Sequence, residues 1–375
     1  MLAGNTIMVL GVVQAIFFIA LLLAKKKKLQ SDFLLVVYFL LMAVHLTYYF
    51  LVYHPTGQLP VEIGILGFSL VILHTPIFFL YVRSLVYFAP VRPLIVGAHL
   101  LPYVLFNVMI LGAYYTENIV LDPKYGFLMV SEAKYYLLNK HGDLMAIIVL
   151  SYTIWGFYLL RIHRNRVLEY LSNIEHTNWL KFLVLSFLIY FLAIYFSIIF
   201  SNSSFGFIPL QSTFYVISFI LMAYVFVIGY IGLKQTSVFV QLAMVENANP
   251  SIKKYAKSGL DPETFERVKS EIDEKMKFGK FYLDENMTLT LLASKVELNP
   301  TYLSQVINQG YGINFHDFVN KYRVDAAKQM LRSEENDHLS FLGIALECGF
   351  KSKSTFNKFF KKYSGMTPGD FKRNK

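Results

Sequence analysis

From Cys348 through the last residue, Lys375, stand eight lysines and arginines against one acid, Asp370. Ser352 is placed to cap a helix that buries Phe356, Phe359 and Phe360, which turns Lys353, Ser354, Asn357 and Lys358 outward, followed by Lys361 and Lys362. A basic stripe beside an apolar face is the electrostatic footprint of a phosphate backbone, and amide and hydroxyl groups among the lysines are the types that bond base edges. Just upstream, Ile344, Ala345 and Cys348 lead into Gly349-Phe350, with a glycine suited to stop a helix. The same arrangement occurs earlier. Leu289, Leu292, Ala293 and Val296 form one helical face ending at Leu298, and Asn299 then caps a helix with Pro300 at its first position. That helix buries Leu303, Val306 and Ile307 and presents Thr301, Ser304 and Gln305. Small Ala293 lets the paired helices approach closely, so two helix-turn-helix units are expected.

Two such units need a spacer. Asn314 to Leu331 reads as one helix carrying Phe315, Phe318, Val319, Tyr322, Ala326 and Met330 on its apolar side. Its 18 residues at ~1.5 Å each make a rod of roughly 27 Å, near the ~34 Å between successive major grooves on one face of a duplex. One chain could thus set two reading helices about one turn apart.

The stretches LLASKVELNPTYLSQVIN, FVNKYRVDAAKQML and IALECGFKSKSTFNKFFKKYSGMTPGDFKR make residues from about 270 to 375 resemble the AraC/XylS-type DNA-binding domain. The third is the most specific, with Gly349-Phe350, Phe356, Phe359-Phe360, Gly365, Thr367-Pro368 and Phe371 all in place. The resemblance implies double-stranded DNA as partner and base contacts from Thr301, Ser304, Gln305, Lys353, Ser354, Asn357 and Lys358. It also implies phosphate contacts from Lys351, Lys361, Lys362, Lys372 and Arg373. Glu297 departs from it, standing where the family usually carries glycine, and is expected to alter the angle of the first reading helix. HTPIFFLYVRSL (74–85) and AHLLPYVLF (98–106) further resemble multi-span regions found ahead of this domain in some bacterial regulators.

The rest of the chain has another character. Residues 1–233 hold 13 Lys/Arg and 8 Asp/Glu, whereas residues 234–375 hold 22 and 17. A hydrophobic fraction of 55% and a mean hydropathy of +0.46 exceed what a soluble core needs and point to a bilayer. Residues 1–24 carry no charge and precede the run Lys25–Lys28, the reverse of a cleaved leader, so a retained span is expected. Six more apolar stretches lie near 33–53, 63–82, 94–115, 143–160, 179–200 and 211–233. With the first terminus outside, Lys25–Lys28, Arg83, Arg92, Arg161, Arg164 and Arg166 fall inside, against Lys124, Lys134 and Lys140 outside. Nine against three fits the positive-inside rule and leaves residue 234 onward in the cytoplasm of a bacterial inner membrane.

All eight acids of the front half lie in loops or at span ends, which disfavours a charged transport relay. No P-loop, GxSxG, HExxH or kinase signature occurs, so neither an enzyme nor a cofactor is expected. His45, His74 and His99 lie within spans, where interhelical hydrogen bonding competes with a sensor role, and no metal site is expected. Gln14, Thr47, Asn107, Thr153, Ser186, Ser197 and Ser218 could line a pocket or join helices. Cys348, the only cysteine, excludes an intrachain disulfide and reads as a small buried hydrophobe.

The fold expected is all-α: a seven-helix transmembrane bundle (1–233), a juxtamembrane linker and amphipathic helix (234–280) and a double helix-turn-helix domain (281–375). In that linker, Asp261 and Pro262 start a helix whose Phe265, Val268, Ile272 and Met276 share one face. Two readings of the face are open: packing on the following domain, or pairing with a second copy of the chain. The functional expectation is a one-component receptor that couples a small-molecule or envelope signal to transcription. Its alternatives are a passive anchor from which proteolysis frees the DNA reader, and a transporter or enzyme bundle fused to a regulator.

Overall fold

The computed structural model describes residues 2–53, 59–87, 91–117, 120–122, 127–129, 135–174, 179–202, 210–234 and 261–374. The connector 235–260, and with it most of the expected linker, lies outside them, as do Lys124 and Lys134 of the longest loop. The chain divides into two compact units, Met1–Leu160 with Trp179–Val240 and Arg161–Asn178 with Gln241–Lys375.

Continuous apolar sequence makes the helices of the first unit, and seven stretches are long and apolar enough to cross a membrane. They are α1 (Leu2–Leu23), α2 (Gln30–Tyr53), α3 (Val61–Ser69) with α4 (Val71–Val86), α5 (Pro93–Glu117), α6 (Tyr135–Tyr170), α7 (Trp179–Asn202) and α8 (Leu210–Lys234). The third stretch is two helices because the chain tightens at Leu70, whose N–H bonds Gly67 O at 3.2 Å. Apolar residues cover both the inward and the outward faces: Phe39, Tyr81 and Leu183 are buried, while Val13, Leu105, Phe182 and Phe226 are exposed. A helix apolar all round suits lipid rather than water. To the all-helical expectation the structure adds one short hairpin, in which β1 (Val120–Asp122) pairs antiparallel with β2 (Phe127–Met129).

The span histidines separate into two sites. His45 Nδ1 lies 3.0 Å from His74 Nε2, and His74 Nδ1 lies 3.2 Å from the Tyr190 hydroxyl, which ties α2, α4 and α7 together. His99 instead meets the Tyr152 hydroxyl at 2.7 Å. The hydroxyls of Thr47, Ser186, Ser197 and Ser218 bond carbonyls of their own helices rather than neighbouring ones. Asn107 does join helices, accepting from Ser69 at 2.8 Å.

Helix α6 is longer than a span requires. Its stripe of Leu160, His163 and Val167 is buried and continues to Leu171, so the helical period runs ten residues past the expected end at 160. Residues 161–174 therefore belong with the second unit.

That unit contains α9 (Pro262–Lys277), α10 (Leu289–Lys295), α11 (Pro300–Tyr311), α12 (Phe315–Arg332), α13 (Phe341–Glu347), α14 (Lys353–Ser364) and α15 (Pro368–Arg373). Asp261 caps α9 by accepting from Thr264 N at 2.9 Å. Val268, Ile272 and Met276 are fully buried in a core shared with Leu289, Leu303, Ile307 and Phe318. Asp273 on the same helix accepts the hydroxyls of both Tyr311 and Tyr322. This face therefore packs on the first helix-turn-helix, which removes the pairing reading: no apolar stripe of α9 is left for a second copy. Ile272→Ala should destabilise the isolated domain by about 2–5 kcal/mol, the usual loss for emptying a core site. Urea unfolding followed by circular dichroism measures it, and an unshifted midpoint would contradict the packing.

Candidate nucleic-acid interface

Each helix of the two units starts where a short polar side chain takes up an orphan backbone N–H. Thr288 caps α10, Asn299 caps α11, Asn314 caps α12, Ser340 caps α13, Ser352 caps α14 and Thr367 caps α15. The expected caps at Asn299 and Ser352 are thus in place. The amino-terminal half of α12 buries Phe315, Phe318 and Val319 in the first core. Its other half buries Val324, Ala327 and Leu331 in a second core with Ile344, Ala345, Cys348, Phe350, Phe356, Phe359 and Phe360. One 18-residue helix is the spine of both units. Because its two cores lie on different sides, the buried stripe turns away from Tyr322, Ala326 and Met330, which are only half-buried.

The turns inside the two units close alike. Leu298 N bonds Ala293 O at 2.9 Å, and Phe350 N bonds Ala345 O at the same distance. Both pivot on a left-handed residue, Glu297 at φ +53° and Gly349 at φ +83°. Glu297 therefore keeps the turn that glycine would make, and its hydrogen bonding shows no alteration. A Cβ at position 349 would lie 2.7 Å from the carbonyl oxygens of Tyr282 and Leu283, whereas Glu297 is exposed. Only the second turn needs glycine for space as well as for backbone angle.

The second reading helix, α14, exposes Lys353, Ser354, Asn357, Lys358, Lys361 and Lys362. Among the described residues, Lys353, Lys358 and Lys361 have no acidic partner, whereas Lys362 pairs with Asp317 at 2.8 Å. Lys372 pairs with Asp337 at 2.9 Å, Arg373 pairs with Asp370, and Lys351 donates to Asn286 Oδ1 at 2.6 Å. Exposed pairs of this kind contribute about 0.2–1 kcal/mol, so phosphate oxygens can displace the acids at little cost.

The first reading helix, α11, is less open. Thr301, Ser304 and Gln305 are half-buried, and the Thr301 hydroxyl is enclosed without a hydrogen-bond partner. One turn beyond Ser304, Asn308 Nδ2 donates to Ser304 Oγ at 3.3 Å and to Glu169 Oε2 at 3.0 Å. Asn308 shares the outward face of α11 and could have been read from helical spacing.

Between the units lies a polar cluster that periodicity does not disclose. Arg323, 1% exposed, donates to Tyr282 O and Asp284 O, both at 2.8 Å, to Asn320 Oδ1 at 3.2 Å and to Ser172 Oγ at 3.3 Å. Burial pushes its guanidinium down to about 10, with Asp284 opposing. Burial likewise pushes the His316 imidazole down to about 4, against the opposing charge of Asp317, so it is neutral at pH 7. Its ring meets Phe359 edge-on at 5.1 Å, which links α12 to the second reading helix. The Cys348 thiol, buried and 3.6 Å from Met330 Sδ, is raised to about 12 and is inert, as a small hydrophobe should be.

A helix-turn-helix domain family model matches residues 292–374. Over 92 residues the chain is 33% identical to the probable transcription factor PqrA of Proteus vulgaris, a match covering 24% of this chain and 72% of that one. The chain belongs to the AraC-type helix-turn-helix regulators. Over another 92-residue match it is 32% identical to the uncharacterized HTH-type transcriptional regulator YtdP of Bacillus subtilis (strain 168), covering 24% of this chain. Over 90 residues it is 28% identical to the melibiose operon regulatory protein of Escherichia coli (strain K12), again covering 24% of this chain. It spans only 12% and 29% of the lengths of those two relatives. AraC-type membership gives Glu297 its interest, because a left-handed non-glycine residue costs about 1–2 kcal/mol, partly offset by the stiffer unfolded chain. Glu297→Gly should stabilise the domain by about 0.5–1 kcal/mol, and Gly349→Ala should destabilise it by more. Chemical denaturation checks both, and a loss of stability in Glu297→Gly would contradict the strain.

Proposed function

We propose that this chain is a membrane-embedded transcription regulator that binds double-stranded DNA with α11 and α14 in successive major grooves. The observation that carries the reading is the joining of two capped helix-turn-helix units by one helix, α12, with Lys353, Lys358 and Lys361, which have no acidic partner among the described residues, beside Asn357 on the second reading helix. On this reading Lys353, Ser354, Asn357, Lys358, Thr301, Ser304 and Gln305 face bases. Lys351, Lys361, Lys362, Lys372 and Arg373 hold phosphates, the paired ones after exchanging their acids. The lipid bilayer takes the apolar outer faces of the seven spans. The excess of Lys and Arg on one side supports a domain facing the cytoplasm across a bacterial inner membrane. The bundle then acts as the receptor for a small-molecule or envelope signal, with His45, His74 and His99 among its buried polar side chains. One observation favours a receptor over a passive anchor: the segment 169–172, which follows the fifth apolar stretch in sequence, is bonded to the DNA-binding unit.

Inverted and right-side-out membrane vesicles carrying the full chain test these assignments together. Labelled duplex should bind inverted vesicles only, with affinity falling steeply as salt rises. Lys361→Ala should weaken all sequences alike and lower the salt slope by about 1, whereas Asn357→Ala should change base preference. Binding to right-side-out vesicles would reverse the orientation, and binding to neither would remove the DNA-reading assignment.

A further inference from the structure

We propose that Glu169–Ser172, the end of α6 and the residues just after it, is an intrachain ligand of the DNA-binding domain whose docking weakens DNA binding. The inference rests on the DNA-reading assignment above. Three elements satisfy the segment's polar atoms. Ser172 donates to Met287 O through both its hydroxyl, at 2.7 Å, and its backbone N–H, at 3.2 Å. The Ser172 carbonyl accepts from Asn320 Nδ2 at 3.0 Å, and its hydroxyl oxygen accepts from Arg323 Nη2 at 3.3 Å. The Leu171 carbonyl meets His316 Nδ1 at 3.2 Å, and Leu171 forms an antiparallel bridge with Thr288. Leu171 is 9% exposed and Ser172 1%, and Tyr170 packs on the first core. A short extended segment with a small hydroxyl side chain thus fits a built groove, with main-chain bonds giving affinity and the Ser172 pocket giving specificity.

The direction of the effect comes from Glu169. Its carboxylate accepts from Asn308, on the same outward face of α11 as Ser304 and one turn further on. Phosphate oxygens that approach the end of this reading helix meet a fixed negative charge already bonded to the polar side chain they would use. DNA and the docked Glu169 therefore compete, and each weakens the other by the same factor. The segment begins in the last turn of α6, which ends at Tyr170, and continues in extended form through Leu171 and Ser172.

The test locks the segment in the full chain in inverted vesicles. Residues facing each other in an antiparallel bridge lie about 4.5–5.5 Å apart at Cα, within reach of a disulfide. In Leu171→Cys/Thr288→Cys, oxidation should form the cross-link, with native Cys348 buried and unreactive. The oxidised protein should bind a random-sequence duplex pool about tenfold more weakly than the same protein after reduction, within ordinary coupling between sites. Glu169→Gln, which needs no new bond and leaves the packing in place, should bind the pool several-fold more tightly than the unaltered chain. Failure of the cross-link to form would overturn the docking. A locked form that binds as tightly as the reduced form, or more tightly, would overturn the competition and make the segment a brace. A cross-link that forms while no version of the chain binds DNA would strike the DNA-reading assignment, and this inference with it.

Discussion

A guanidinium taken out of water must find acceptors on every side, and the acceptors chosen for Arg323 decide what the second unit can be. Two are carbonyls of the turn before α10, one is Asn320 a turn away on α12, and one is the Ser172 hydroxyl. No carboxylate is in the set, so the charge is held by dipoles that fix position and direction together. Its Cζ also lies 5.8 Å from the centre of the Phe350 ring, at the turn of the second helix-turn-helix. One side chain therefore reaches both helix-turn-helices and Ser172, just past the end of α6. Removing it would leave the buried Tyr282 carbonyl and the buried Asn320 side chain short of a donor, a loss of the kind that exceeds the net value of the bonds themselves.

The two cores explain why that clamp is needed. The first takes α9, α10, α11 and the front of α12, and the second takes the rest of α12 with α13, α14 and α15. Both cores draw on α12, and Ala326 packs against each, so the relative setting of α11 and α14 rests on α12 and on the polar cluster upon it. His316 belongs to that cluster through Phe359 on one side and Leu171 on the other. The setting of the two helix-turn-helix units is thus held in part by hydrogen bonds with defined directions, which apolar packing alone does not supply.

Much of this architecture was legible in the sequence, for reasons tied to particular residues. The spans declared themselves by unbroken apolar length, and α11 and α14 by cap, proline and period, as Asn299-Pro300 and Ser352 show. Periodicity misplaces part of the α12 face because that helix is buried on two sides: Tyr322, Ala326 and Met330 lie at the edges of the cores, while Val324, Ala327 and Leu331 fill the second. Arg323, Asn320 and His316 were invisible as a cluster, since a polar residue on a helix reads as solvated until a partner is known. Their partner, Ser172, is more than a hundred residues earlier and follows a span whose apolar stretch ends at Leu160. For α9 the period was right, but its choice of partner could not be made from one face alone.

The central claim is that one chain sets two reading helices on one face of a duplex. Hydroxyl-radical footprinting of the full chain on a duplex selected from a random pool measures this directly. Two protected backbone patches, centred about 10 base pairs apart on the same side of the helix, are the result this architecture predicts. A single patch, or two patches on opposite sides of the duplex, would contradict it.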